Sequence, residues 1–214
     1  MLSVWHATDG WGVLEKPAGL RTVNGAGPGG DDSIESRLQR AYPRCLGSSG
    51  GLITHRLDME TSGLLLVAFN RRAHRSLMRQ FEHRKIGKQY VALLDGVVEG
   101  ASGEIDLPMG KDPLHHVRQR VDSSGKPART LWRVIGHEAG RTRVEFRPIT
   151  GRRHQLRVHA ATPMAQGGLG APILGDSLYA RPIPEGRLHL HASRIGFWTP
   201  GTGDWSVFRS DAPF

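Results

Sequence analysis

The stretch His55-Arg56-Leu57-Asp58-Met59-Glu60-Thr61-Ser62-Gly63-Leu64-Leu65-Leu66-Val67-Ala68-Phe69 decides how the rest of the chain is read. Its first half is polar and holds one Asp, Asp58, with Arg56 two residues before it and Thr61-Ser62-Gly63 after it. Its second half is apolar without a break from Leu64 to Phe69, the pattern of a strand covered on both faces. A polar loop therefore runs straight into a buried strand, and Asp58 sits on the loop. A nearby cation and the hydroxyls and amides of such a turn favour an ionised carboxylate. That state suits a nucleophile or a base. It suits equally an Asp that only caps the turn or pairs with Arg56.

Working outward, Leu52-Ile53-Thr54 predicts a strand, and residues 43–51 a flexible connector. Residues 4–20 predict short strands around a turn, punctuated by Lys16-Pro17-Ala18-Gly19. Residues 21–31 are Gly-rich and predict a loop; Asp32-Ser33 then caps a short helix over 34–42. On the other side, Asn70 caps a helix over 71–84. Ala73, Leu77 and Phe81 form its apolar stripe, and Arg71, Arg75 and Arg79 a cationic stripe on the opposite side. Such a stripe serves either as a solvated face or as a phosphate-tracking one. Gln89 to Leu94 predicts a strand. Residues 131–135 and 143–148 predict a hairpin around 136–140. Thr150 is placed to cap a helix over 152–161, and 188–197 and 206–208 predict closing strands. Eight to ten strands and three helices in this order give an α+β fold, not repeated βαβ units.

Composition narrows the function classes. The chain has 214 residues and a net charge of +9, with 24 Arg and 5 Lys, which points to a polyanionic partner. The single Cys excludes a disulfide scaffold and a multi-Cys zinc site. The longest apolar run is six residues, against the ~18 that a membrane helix needs. The N-terminal sequence has no signal-peptide pattern, so a cytoplasmic protein is expected. There are 11 His, but no carboxylate or thiol completes a ligand set around His115-His116, His154 and His159, or His189 and His191, and no metal is expected. The Gly-rich segment 24–30 lacks the ending of a phosphate loop.

A second polar cluster is Gly151-Arg152-Arg153-His154-Gln155-Leu156-Arg157-Val158-His159. On a helix, Arg153 and Arg157 share a side, and Arg152 and Arg153 oppose the helix dipole unless an anion lies close. Asp58, a phosphate or both would serve.

These residues resemble a known family. His55-Arg56-Leu57-Asp58, two variable residues and Thr61-Ser62-Gly63 before an apolar strand are similar to the signature of the RluA family of pseudouridine synthases. Five further blocks resemble the family in order: Glu15 to Gly19, Lys88 to Ala92, Gly125 to Thr130, Gly151 to His159 and Pro172 to Tyr179. The resemblance implies a pseudouridine synthase fold, a mixed, mainly antiparallel β-sheet with flanking helices and loops and a central RNA-binding cleft. It implies isomerisation of uridine in RNA with no cofactor. It implies Asp58 as the catalytic carboxylate, Tyr90 as the ring that stacks on the target base, and Arg157 as the cation paired with that carboxylate. Arg56 would enter the helix where the base has flipped out. His55, Lys88, Arg71, Arg75, Arg79, Arg152, Arg153, His154 and Gln155 complete the candidate RNA contacts. Nucleophile and base both stay open for Asp58.

The blocks begin by residue 15, so residues 1–214 are expected to form a single catalytic domain without an S4 domain, as in the short branch of the family. That branch implies a 23S rRNA hairpin, a tRNA anticodon stem-loop, or both as substrate. A monomer without DNA or membrane partners is expected. Residues 160–171 make a longer connection than is usual in the family. Two other readings stand beside the enzyme. One is a non-catalytic RNA-binding or ribosome-assembly factor with a vestigial site. The other is an N-glycoside hydrolase, which would want a second acid; Asp176 is the one candidate in a marked block and is read as structural.

Overall fold

The apolar run forms strand β3 (Ser62–Ala68), buried along its whole length. The computed structural model describes residues 3–26, 30–43, 53–180 and 186–214. Among them are eleven strands and three α-helices, a mixed and mostly antiparallel α+β arrangement. The chain divides into two compact units. Residues 1–88 and 192–212 form one, and residues 89–191 with 213–214 form the other.

In the first unit, β1 (Ser3–Ala7) pairs antiparallel with β2 (Trp11–Lys16), and β2 with β3. Beyond β3 lies β10 (Leu190–Trp198), which pairs antiparallel with β11 (Trp205–Arg209). Helix α1 (Ile34–Ala41) starts at Ser33, whose side chain accepts the Ser36 N–H. Helix α2 (Arg71–Glu82) starts at Asn70, whose Oδ1 accepts the Ala73 N–H at 2.9 Å, a cap worth about 1 kcal/mol. Its Ala73 and Leu77 pack on Leu64, Leu66, Ile195 and Phe197. Gln80 holds its last turn to β10, donating to the Trp198 carbonyl and accepting the Trp198 N–H. At the start of β3, Gly63 has φ +112°, and a Cβ there would lie 2.5 Å from the Ala192 carbonyl oxygen. Only glycine joins the Asp58 loop to this strand.

In the second unit, β4 (Gly87–Leu94, its first two residues in the first unit), β9 (Arg141–Pro148), β8 (Arg129–Glu138) and β5 (Ser102–Asp106) lie in that order, with antiparallel pairing of β4 to β9, β9 to β8 and β8 to β5. Ala92, Leu94, Val144, Phe146, Leu156 and Ile173 form the core under this sheet. A separate ribbon pairs β6 (Met109–Lys111) with β7 (Gln119–Val121).

Several expectations change. The helix predicted over 152–161 is α3 (Gln155–Ala161), and Thr150 does not cap it. Thr150 Oγ1 instead donates to Gln155 Oε1 at 2.7 Å, tying 150–155 into a loop. The residue before α3, His154, is left-handed with φ 55° and caps nothing with its side chain. The β8–β9 hairpin runs on to Glu138 and Arg141 past an irregularity at Gly136, so its turn is shorter than 136–140. The strand predicted at 52–54 is an isolated bridge from Ile53 to Val67, with Leu52 outside the described residues. From residue 44 to 50 the connector, with Cys45, also lies outside them. Strands β5, β6 and β7 carry no prediction.

Candidate active site

Asp58 is half-buried on a loop whose two flanking residues are both held. Thr22 grips Leu57 twice: its hydroxyl donates to the Leu57 carbonyl at 2.7 Å and accepts the Leu57 N–H at 3.1 Å. The Met59 carbonyl accepts from the Gly19 N–H and from Lys16 Nζ, both at 2.9 Å. Lys16 is fully buried, and its ammonium also donates to the carbonyls of Pro17 and Leu20. The Thr61 N–H closes the turn on the Asp58 carbonyl at 3.1 Å. Arg56 is exposed, and among the described residues its guanidinium has no hydrogen-bond or ion-pair partner. It is available to an incoming anion.

His55 lies on the same loop. Its Nε2 accepts the Leu66 N–H at 3.0 Å and its ring lies 4.8 Å from Phe81. Burial, with the charge of Lys88 second, pushes its pKa down to about 3. The ring is neutral and props the loop on β3, so one nitrogen is already used before any RNA arrives. Burial also lowers the pKa of Lys88.

In the second unit, Tyr90 is half-buried at the outer end of the same-face series Tyr90, Ala92, Leu94. Arg157 is buried on α3. Its Nε donates to Asp176 Oδ2 at 2.8 Å and its Nη2 to Asp176 Oδ1 at 2.6 Å. Asp176 Oδ1 also accepts the N–H groups of Leu178 and Tyr179. The Tyr179 ring lies beneath the guanidinium, 5.3 Å from centroid to Cζ. Tyr179 Oη accepts the Gln119 N–H at 2.8 Å and lies 2.7 Å from His154 Nδ1. Asp176 is thus a fully buried partner of Arg157, not a general acid open to substrate. Gly175 permits the turn before it: at φ +78° its missing Cβ would overlap the Arg187 carbonyl.

The candidate RNA contacts divide. Arg71, Arg75, Arg79 and Arg153 are exposed, and Arg152 is half-buried with its Nε on the Pro127 carbonyl. His154 is buried against Tyr179. Gln155, expected among the RNA contacts, is a correction. It is buried, its Nε2 donates to the Arg129 carbonyl and Thr130 Oγ1, and its Oε1 accepts from Thr150 Oγ1 and the Arg152 N–H. With its polar atoms so used, it braces α3 on β8.

The residues that sequence reasoning missed are Lys16, Thr22 and Tyr179 as supports of the site, while Asp176, read as structural, is structural and pairs with Arg157. Lys16, Asp176 and Tyr179 lie in blocks already marked, but a lysine or an aspartate in a turn carries no sign of which carbonyl or guanidinium it will meet. Thr22 had no signal. Among the described residues no three His, Cys, Asp or Glu gather to hold a metal.

A family description, RNA pseudouridylate synthase, matches residues 11–162. The dual-specificity RNA pseudouridine synthase RluA of Pasteurella multocida is 41% identical over 218 aligned residues, covering 100% of this chain and 94% of that protein. The protein of the same name from Escherichia coli K12 is 42% identical, covering 94% and 89%. Among solved structures, human RNA pseudouridylate synthase domain containing 1 superposes with a TM-score of 0.80 at 28% identity, over 100% of this chain and 84% of that one. The loop signature at Asp58, the match across most of the chain and the shared architecture agree: the chain belongs to the RluA family of RNA pseudouridine synthases.

Proposed function

We propose that this protein isomerises uridine to pseudouridine in structured RNA with Asp58 as the catalytic carboxylate. The N1–C1′ bond breaks, the uracil turns, and C5 bonds to C1′; the C5 proton leaves and N1 takes one up. A carboxylate serves this either by attacking C1′ or by taking a proton from the ribose. Tyr90 is the ring on which the target base stacks, and Arg157 the cation that serves the carboxylate. Arg56 fills the space the flipped base leaves, which offsets an unstacking cost of a few kcal/mol. Lys88, Arg152, Arg153 and the arginine stripe of α2 hold the surrounding RNA, whereas His55 and His154, turned to Leu66 and Tyr179, brace the loops that carry them and are not RNA contacts.

The observation that carries the reading is Asp58 itself, on a loop pinned at Leu57 and Met59 and flanked by an exposed, unpartnered Arg56. We infer, from the resemblance to the short branch of the family, that the target uridines lie in a 23S rRNA hairpin, a tRNA anticodon stem-loop or both, and take both as the working case. Residues 1–214 act as one catalytic domain, as a cytoplasmic monomer without cofactor. No helix among the described residues is long and apolar enough to cross a membrane.

Pseudouridine mapping in total RNA from cells with and without the gene tests the substrate. Loss of pseudouridine at both RNAs is expected. Loss at one reduces the reading to single specificity, and loss at neither contradicts it.

A further inference from the structure

The β10–β11 hairpin carries a second patch of aromatic and cationic side chains in the first unit. The strands pair Trp198 opposite Trp205 and Arg194 opposite Arg209. Alternate residues of a strand face opposite ways. Ile195, Phe197 and Phe208 belong to the core under α2. Arg194, Gly196 and Trp198, with Trp205, Val207 and Arg209, therefore face away from it.

That outward face is built unlike a solvated one. Trp198 is 49% exposed and Trp205 42%, and their rings meet edge to face at 5.3 Å. Gly196 leaves the floor clear: a Cβ there would lie 2.7 Å from Trp205 Cζ2, and one at Gly87 3.7 Å from the same atom. The indole thus occupies space that a side chain at position 196 would otherwise take. Like charges directly opposite across a ladder destabilise it. Among the described residues neither Arg194 nor Arg209 makes an ion pair, and neither do Asp204 and Asp211, the acids on either side of β11. Along the strands the tryptophan and arginine positions are four residues apart, but Arg194 Nη1 and Trp205 Cζ2 lie equally close, 3.7 Å, to the Cβ position at Gly87, so this guanidinium folds back beside the indole.

We propose that this face binds single-stranded RNA, stacking a base on Trp198 and Trp205 and placing phosphates at Arg194 and Arg209. Indole faces accept any base, and arginines track the backbone without reading sequence. A second copy of the chain fits worse, because each such face carries two arginines without an ion pair among the described residues, and two like-charged faces repel. The inference deepens the functional reading: it gives the enzyme a hold on RNA outside the modified loop, and it rests on RNA as the substrate.

The test is titration of the full chain with a twelve-uridine oligoribonucleotide, followed by tryptophan fluorescence at several salt concentrations. Quenching is expected, and it falls in Trp198→Phe/Trp205→Phe to what Trp5, Trp11 and Trp132 contribute, because the new rings still stack but no longer report. Trp198→Leu/Trp205→Leu weakens binding about tenfold, whereas the Phe pair keeps most of the affinity. Arg194→Gln/Arg209→Gln lowers the salt slope by roughly 0.7 per lost phosphate contact. Thermal melting confirms that each variant is folded. Quenching undiminished in the Phe pair, an unchanged slope in the Gln pair, or a dimer that dissociates in the Leu pair overturns the proposal. Isomerisation is scored separately, so failure of this surface is distinguishable from failure of the functional reading.

Discussion

Arg157 and Asp176 form a buried two-bond ion pair, Nε to Oδ2 at 2.8 Å and Nη2 to Oδ1 at 2.6 Å, with neither side chain more than 3% exposed. Two blocks far apart in sequence, Gly151 to His159 and Pro172 to Tyr179, are joined by this pair. It fixes two of the guanidinium nitrogens and leaves the orientation of the third determined by them. Removing one partner strands a buried charge, at a cost of about 3–5 kcal/mol. Asp176→Ala is expected to lose stability of that order in urea unfolding, and Arg157→Met/Asp176→Leu to recover part of it. A loss below about 1 kcal/mol in Asp176→Ala would show that the pair carries no such weight.

Lys16 acts on Asp58 through the backbone. Its ammonium holds the carbonyls of Pro17, Leu20 and Met59. Lys16→Met keeps the apolar stem but leaves three carbonyls without that donor, each worth about 1–3 kcal/mol if buried and unpaired. The variant is expected to be less stable. In the fraction that folds, kcat is expected to fall at least tenfold with KM changed less, since the carboxylate loosens while the RNA face stays. A kcat equal to the parent's refutes this positioning role.

Two neutral histidines make the fold sensitive to acid. Burial takes His55 down to about 3 and His159 down to about 4. His159 also lies within hydrogen-bond reach of Thr130 Oγ1, at 3.0 Å from Nδ1, and of the Leu107 carbonyl at Nε2. Below about pH 6.5 the unfolded chain protonates both, and the folded chain does not. Their neutral burial therefore costs nothing above that pH. Stability falls as pH drops, by up to about 1.4 kcal/mol per unit for each, until the folded values are reached. Chemical denaturation at pH 7.5 and 5.0 should show this loss, and His159→Gln should flatten it. A pH-independent midpoint would mean that the two rings are not buried neutral.

The α2 stripe is testable through salt. Arg75 and Arg79 are exposed, with no acidic partner among the described residues. Arg75→Ala/Arg79→Ala is expected to weaken binding of the substrate stem-loop and to lower the slope of log K against log salt by roughly 0.7–0.9 per lost phosphate contact. An unchanged slope returns this helix face to plain solvation.

How much of this was legible in the sequence depends on where the information sits. Helix α2 was readable with its Asn70 cap because its apolar and basic stripes repeat every fourth residue. Strand β3 was readable because it is apolar on both faces. Strand β5, Ser-Gly-Glu-Ile-Asp, has one apolar residue, and its partner β8 supplies the order that its own pattern lacks. The start of α3 was misread because Thr150 looks like a cap. Its hydroxyl goes instead to Gln155, which β8 holds in place through the Arg129 carbonyl and Thr130. At the site, the chemistry of Asp58 was visible in its neighbours, but its supports were not. Lys16 reaches Met59 across 43 residues of chain, and Arg157 reaches Asp176 across 19. The connection at 160–171, expected to be long, is folded back on α3. Backbone bonds run from Leu169 to His159, Gly170 to Thr162 and Ala171 to Ala160.

The central claim is that Asp58 performs the chemistry. The direct measurement is release of tritium from C5 of labelled uridine in a substrate RNA stem-loop, comparing the parent with Asp58→Asn at equal RNA occupancy. Asparagine keeps the size of the side chain and removes its charge and basicity. The expected result is release by the parent and none by Asp58→Asn, with RNA affinity changed less than about tenfold. Release by Asp58→Asn at the parental rate would contradict the account.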